Sequence, residues 1–422
     1  MSIKSLFFIL FLFSKITFVF SQNIDFQKDI VPIVQKNCTP CHCKGGAAPF
    51  SLSSTQDLER RKDFIKIVTT SRYMPPWFSD SSFQTFHKER RLSDAEIEKI
   101  SVWANEKKDK KVANINWEAP LEQGQRNNEK IVIPYNKPFL LKGDNQEQFR
   151  VFVLPTNTDK PLYIKGIDFI PGYKPVAHHN RIMIDTTRKL RADDGIEVGA
   201  SSEFSRQKIK LADEFWYGWL PGRQAIFYPK GMARRLPANA DLVINMHYAP
   251  SSRAILDSAK VILYPVNQED TIKRLVQTFV MDEHTVVNEP FEIPADTVIK
   301  FYMRSQIIPY DISLLSVLPH LHLLGKNFKA YAITPDGDLI PLIKINEWNF
   351  NWQMNYQFKN LLKIPAGSTI FAEAEFDNTR QNLRNPFSPP QTVTYGWGTK
   401  NEMLNLIFEF VKYENGDEVI TP

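Results

Sequence analysis

Five of the eight histidines in this 422-residue chain fall in three short groupings: His178 with His179, His247 in Asn-Met-His-Tyr, and His320 with His322. Imidazoles take zinc, copper, iron or nickel, and a thioether added to the set selects copper, above all Cu(I). Met403 is therefore the residue that decides among metals. Residues two apart on a strand project from one face, so His320 and His322 can chelate one ion from a rigid support. Consecutive residues point to opposite faces, so His178 and His179 share an ion only where the backbone bulges or the ion sits at a strand edge. With His247 they would complete a three-imidazole site. Each grouping alone is more often structural than metallic; their conjunction with a downstream methionine points to metal chemistry.

A second constellation lies upstream. Asn37–His42 reads Asn-Cys-Thr-Pro-Cys-His, in which thiols three apart can form thioethers to haem vinyl groups while the following histidine binds iron. A thioredoxin-like site would need a βαβ context and a zinc site a second ligand pair. Met74, in Tyr-Met-Pro-Pro-Trp, is the candidate second axial ligand, with His87 as a weaker competitor, and Cys43 receives no role. Phe26, Ile30, Ile33 and Val34 follow a helical period, as do Leu92, Ile97, Ile100 and Trp103, with Ser93 and Glu96 forming a capping box. This stretch resembles the short cytochrome c domains fused to other exported bacterial modules, through residues 37–42, Gly45–Gly46 and 74–77.

The elements that must position the histidines read differently. From about residue 130 the chain consists of short Val/Ile/Phe/Tyr-rich segments separated by turn residues, with strands expected over 149–154, 162–169, 259–264, 329–334, 369–376 and 404–413. This is a β-sandwich pattern. All three cysteines, Cys38, Cys41 and Cys43, lie in one segment, so everything beyond folds without disulfides. The formal charge of +5 is small and no basic stripe interleaves with aromatics, which argues against nucleic-acid binding. Lys4 followed by an apolar run from Leu6 to Phe20 reads as an export signal over residues 1–21. No later run is apolar enough to span a membrane, so an exported, periplasmic or extracellular protein is expected. No hydrolytic triad, phosphate loop or dinucleotide fingerprint competes for the chemistry.

Four stretches together resemble the copper type II, ascorbate-dependent monooxygenases: residues 177–185 (AHHNRIMID), 219–248 (ending VINMHY), 318–326 (LPHLHLLGK) and 396–408 (GWGTKNEMLNLIF). The resemblance spans roughly residues 145 to 415, in the family's order. It implies two copper ions. His178, His179 and His247 match the electron-relay copper of the first sandwich, and His320, His322 and Met403 the oxygen-activating copper of the second. The departures are the missing disulfides and Leu404, where a cysteine is usual.

The expected fold is therefore multidomain, a small all-α cytochrome c domain followed by two all-β, jelly-roll-like sandwiches. Its expected bounds are a signal over 1–21, the haem domain over 22–108, a linker over 109–130, and sandwiches over 131–268 and 269–422. The resemblance implies hydroxylation of a C–H bond of a small-molecule or peptide substrate by O2. The electrons come from ascorbate or another external reductant or a redox partner protein, and the fused haem c offers a built-in route to the three-histidine copper. Two other classes stay open at this level: an electron-transfer or copper-binding protein without hydroxylase activity, and a ligand-binding sandwich with structural histidines. Trp348, Trp352 and nearby Phe and Asn residues could floor a substrate cleft, although such aromatics are more often core. His284 reads as a surface histidine.

Overall fold

The structure is a computed structural model that describes residues 24–44, 46, 48–106, 114–118, 129–198, 209–223, 225–267 and 270–422. The export signal read over residues 1–21, and most of the linker read over 109–130, lie outside the described residues.

The described chain begins with a helical head. Asp25 caps the first turn by accepting from the Gln27 and Lys28 amides, and Phe26–Ile30 runs directly into Val31–Asn37. Thr55–Glu59, Lys62–Thr70 and Asp94–Asn105 follow. The last starts at the capping box expected from the sequence, with Ser93 and Glu96 satisfying each other's backbone. Ile30, Val34, Leu58, Ile65, Ile100 and Trp103 form the core of the head, and Trp117 closes it with an indole bond to the Leu52 carbonyl at 3.1 Å. These helices are few and short; on their own they do not define a cytochrome c fold.

Residues 77–88 leave the head and attach to the second sandwich. Phe86 is buried in that sandwich's core beside Tyr356 and Phe358, at ring distances of 5.1 and 5.5 Å. Ser79 bridges Ile345, Phe86 bridges Phe358, and the His87 amide bonds the Gln357 carbonyl at 2.8 Å. The helical periods of the head say nothing about this strap, whose aromatics follow no period.

The rest of the described chain is β. The first sandwich sets an antiparallel sheet of Gln148–Pro155, Asp241–Tyr248, Ala177–Asp185 and Asp213–Trp219, in that spatial order, against a sheet built on Leu162–Ile170 and Lys260–Pro265. Phe152, Ile164, Phe169, Ile182, Trp216 and Ile244 fill the space between. The second sandwich sets Gln277–Met281, Asn405–Lys412, Ile312–His320 and Tyr356–Ile364 against Val298–Arg304, Thr369–Asp377, Gly325–Ile333 and Leu339–Ile345. Thr369–Asp377 alternates buried and half-buried residues along its length, as a strand with one face on the core must. No helix among the described residues is long and apolar enough to cross a membrane.

A buried ionic cluster joins the sandwiches. Arg234 of the first is 1% exposed. Its guanidinium donates to Asp213 at 3.2 Å and, across the interface, to Thr278 at 2.6 Å and Glu409 at 3.2 Å. Tyr228 accepts from Arg234 at 3.0 Å and donates to Glu409 at 2.9 Å, while Ser316 donates to the other Glu409 oxygen at 2.7 Å. With every polar atom of Glu409 engaged, the charge transfer into the interior is compensated and the sandwiches are held in one relation.

Candidate metal centre

The three-histidine group is made by a β-bulge. Ala177 pairs with Tyr248 and His179 with His247, so His178 is an extra residue with no partner of its own on that strand. The bulge turns two consecutive side chains to one side, which a regular strand forbids. His178 and His179 approach with their Nδ1 atoms 2.9 Å apart, and ligand atoms of His178, His179 and His247 all lie within 4.8 Å of one another. Two imidazole nitrogens on one ion, each bound at about 2.0–2.1 Å, are held roughly 3 Å apart, so the spacing suits a shared metal. His247 is buried and both its ring nitrogens lack hydrogen-bond partners, a costly state that a coordinated ion relieves. Phe149 stacks on the His247 ring at 4.1 Å, and Glu147 lies 3.6 Å from its Nε2.

His320 ends the strand Ile312–His320 and His322 lies two residues on, their rings 5.1 Å apart on either side of buried Leu321. His320 Nδ1 bonds the Gln353 side-chain oxygen, and His322 Nδ1 bonds the Asn401 carbonyl at 3.0 Å. Each acceptor holds the proton on Nδ1 and leaves the Nε2 lone pair for a metal. Glu402 organises this half of the site: its carboxyl accepts from the amides of His322 at 2.8 Å, Leu324 at 2.6 Å and Met403 at 3.2 Å. One side chain thereby fixes the His322 turn and the Met403 backbone together. Burial pushes the Glu402 carboxyl up to about 8, against the pull of those three amides.

Burial, reinforced by the neighbouring imidazoles, lowers His178 to about 3 and drives His179 well below its usual range. Burial likewise lowers His320 to about 3, with His322 and the Arg181 charge adding to it, and His322 to about 4. At neutral pH these rings are neutral imidazoles, each with one nitrogen lone pair to offer a metal.

The structure brings the two groups closer than the sequence implied. Two separate pockets were expected. Instead the His179 and His320 rings lie 6.0 Å apart, and Phe350 packs against both His178 at 5.2 Å and His322 at 5.9 Å. A single cavity of about 570 Å³ is lined by His179, His247, His320, His322 and Met403. The cause is the closed contact between the sandwiches, which carries Phe350 of the second over the His178 edge of the first.

In the head, the turn after Val31–Asn37 presents the haem-motif residues, with the His42 and Cys41 amides bonded to the Cys38 carbonyl at 2.9 and 3.2 Å. His42 Nδ1 meets the Phe50 carbonyl at 3.0 Å, which leaves Nε2 as a ligand atom. Cys38, Cys41 and Cys43 are all free thiols, and burial raises Cys38 to about 12, so it is no reactive thiolate. This donor set fits a covalent haem. Met74 is half-buried after Lys62–Thr70, its amide on the Val68 carbonyl at 2.9 Å, and nothing described joins it to His42. Gly222, at φ +79°, lies so close to Cys41 that a Cβ there would stand 2.2 Å from the sulfur, and Arg90 donates to the Gly222 carbonyl at 2.9 Å. The haem-motif turn therefore packs on the loop that follows Trp219 of the first sandwich. A second cavity, also about 570 Å³, is lined by Asn37 and Pro40 of the head and by His178.

Sequence reasoning missed Glu402, Gln353, Asn401 and Glu147, and read Phe350 only as one of the aromatics that could floor a cleft. Only Glu402, a carboxylate next to Met403, left a local signal. Trp348 is core, with its indole on the His322 carbonyl at 3.2 Å, and His284 is exposed.

Residues 275–415 match the family described as "Copper type II ascorbate-dependent monooxygenase, C-terminal domain". The stretch holds His320, His322, Gln353, Glu402 and Met403, and the match supports that family and a copper monooxygenase activity for the second sandwich. No curated protein matches the chain in sequence. Among solved structures, the major capsid protein P2 of bacteriophage PM2 aligns at 8% identity over 68% of this chain and 100% of its own, with a TM-score of 0.26. PNGase F, a glycosylasparaginase from Flavobacterium meningosepticum, aligns at 11% identity over 67% and 95%, with a TM-score of 0.24. Likeness at that level carries no argument about this chain.

Proposed function

We propose that this chain is an exported copper-dependent monooxygenase that hydroxylates a C–H bond of its substrate with O2. One observation carries the reading: His179, His247, His320, His322 and Met403 face a common cavity, and its second half falls in the stretch matched to the copper monooxygenase family. The net reaction inserts one oxygen atom, releases the other as water, and consumes two electrons and two protons. Copper held by His178, His179 and His247, and by His320, His322 and Met403, supplies the one-electron and O2 chemistry when bound.

The chain's own residues do the rest. Gln353 and Asn401 fix the tautomer and rotation of His320 and His322, Glu402 couples His322 to Met403, and Phe350 packs against both His178 and His322. Burial keeps the imidazoles neutral and so available as ligands.

Cys38 and Cys41 would hold a covalent haem, with His42 and Met74 as iron ligands, and the donor of electrons is ascorbate or another external reductant. The contact of Cys41 with Gly222 supports a built-in route to the three-histidine group. The loop leads back to Trp219, whose amide bonds Asn180 at 3.2 Å, beside His179.

The test is copper and haem content on one purified sample, then O2 uptake set against hydroxylated product. Two coppers and uptake matched by product are expected. Full copper without O2-coupled product would identify an electron-transfer or copper-handling protein, and a copper-free protein would leave the histidines structural.

A further inference from the structure

The two histidine groups differ in the charge around them. Imidazoles bind metals in the neutral form, so His178, His179 and His247 bring no charge of their own to an ion they share. One carboxylate stands close enough to supply it. Glu147 comes just before the strand Gln148–Pro155, in which Phe149 pairs with His247. That register puts Glu147 Oε1 3.6 Å from His247 Nε2, too far for a hydrogen bond but well inside the range of charge attraction. Its field reaches His178 and His322 as well. No other Asp or Glu among the described residues forms an ion pair with an imidazole of either group.

Glu147 carries its charge at neutral pH. Burial works to raise its carboxyl, but the His247 ring and Thr399 beside it hold it below the usual range. Its side chain is 32% exposed, so water screens part of the charge without removing it. The second group has no such partner. Gln353 and the Asn401 carbonyl, which hold His320 and His322, are neutral, and Glu402 spends both carboxyl oxygens on backbone amides. Beyond burial and the neighbouring His322, the charge that lowers His320 is the Arg181 cation.

We propose that Glu147 is the counter-charge of the three-histidine site and holds its reduction potential down. A negative group beside the metal favours Cu(II), with two charges, over Cu(I), with one, whereas the Met403 thioether favours Cu(I) at the other group. The couple takes up one electron from the external reductant and makes or breaks no bond. With its potential lowered, the three-histidine site is the better electron donor of the two. Glu147 acts through space and need not bind the ion. The inference rests on copper occupying these histidines, as in the function proposed above, but not on hydroxylation.

The test is a potentiometric titration of the full-length, copper-loaded protein, followed by the Cu(II) electron paramagnetic resonance signal. A His320→Ala background isolates the three-histidine site, and a His178→Ala background isolates the other. Glu147→Gln, which removes the charge and keeps the shape, is expected to favour reduction of the three-histidine site at least about tenfold, an upward shift of about 59 mV for one electron. Glu147→Asp is expected to restore most of the wild-type value, and the second site to shift less. Where loading is incomplete, competition titrations give the same quantity as the ratio of Cu(II) to Cu(I) affinity, which must fall at least about tenfold. An unchanged potential in folded Glu147→Gln, or an equal shift at both sites, would overturn the proposal. Should Glu147→Gln fail to fold, Glu147→Asp decides, since a retracted charge must raise the potential by a smaller step and no shift would overturn it. A wild type that binds no copper at these histidines would overturn both readings. A potential that answers to Glu147 in a protein without O2-coupled product would support the counter-charge and sink the monooxygenase reading alone.

Discussion

The Glu402 carboxylate and the His322 amide are 2.8 Å apart, and through that bond an acid on one loop dictates the position of a ligand on another. The same carboxyl holds Leu324 and Met403, so three buried N–H groups depend on it. Glu402→Ala is expected to cost roughly 2–4 kcal/mol of stability, because it orphans those donors. Copper at the His320/His322/Met403 group should fall while the three-histidine group keeps its own. Thermal unfolding with copper quantification checks both, and retention of both coppers would contradict the role given to Glu402.

The bulge separates a ligand effect from a fold effect. His178→Ala removes one imidazole but leaves the extra residue, so the strand register stays and stability should change by less than about 1 kcal/mol. Deleting residue 178 outright abolishes the bulge, and the site's side chains lose their common face. Copper stoichiometry should fall in both variants, and the melting temperature should fall only in the deletion.

Acid should destabilise the metal-free protein in a defined window. His178, His320 and His322 sit at about 3, 3 and 4 when folded but near 6.5 when unfolded. Between those values the unfolded chain binds more protons, so stability is present above pH ~6.5 and is lost as pH falls toward 4. Glu402 acts in the opposite sense, since its raised carboxyl makes a contribution that is lost as pH rises through about 8. Melting temperature against pH, without metal, should rise from pH 4 to about 6.5. A flat profile there would count against burial of the imidazoles.

Arg234→Met tests the joint between the sandwiches. It strands Glu409 and Asp213 in the interior, and removing one partner of a buried pair costs about 3–5 kcal/mol. The cavity lies between the sandwiches that this cluster ties, so copper affinity should drop although no ligand is touched. Calorimetry is expected to resolve a lower, broader transition.

How far the sequence reached follows from which signals are local. Strands expected over 162–169 and 369–376 are found as Leu162–Ile170 and Thr369–Asp377, because a half-buried strand writes its period of two into the chain. The need for a bulge at His178–His179 followed from pleat geometry alone. By contrast, Phe350 reaching both His178 and His322, and Gln353 meeting His320, are products of packing between elements far apart in sequence. The merging of two expected pockets into one cavity has the same origin. Residues 77–88 were read with the head by proximity in the chain, whereas Phe86 answers to the aromatic core of a domain more than two hundred residues downstream.

That strap decides how separable the N-terminal head is. A fragment starting after residue 108 would keep both sandwiches but lose Phe86, opening a gap beside Tyr356 and Phe358 and uncovering the loop at Gly222. Filling an aromatic's place with nothing costs about 3–5 kcal/mol. Head and sandwiches are thus stitched rather than tethered, and what is removed with the head is taken from the core of the second sandwich.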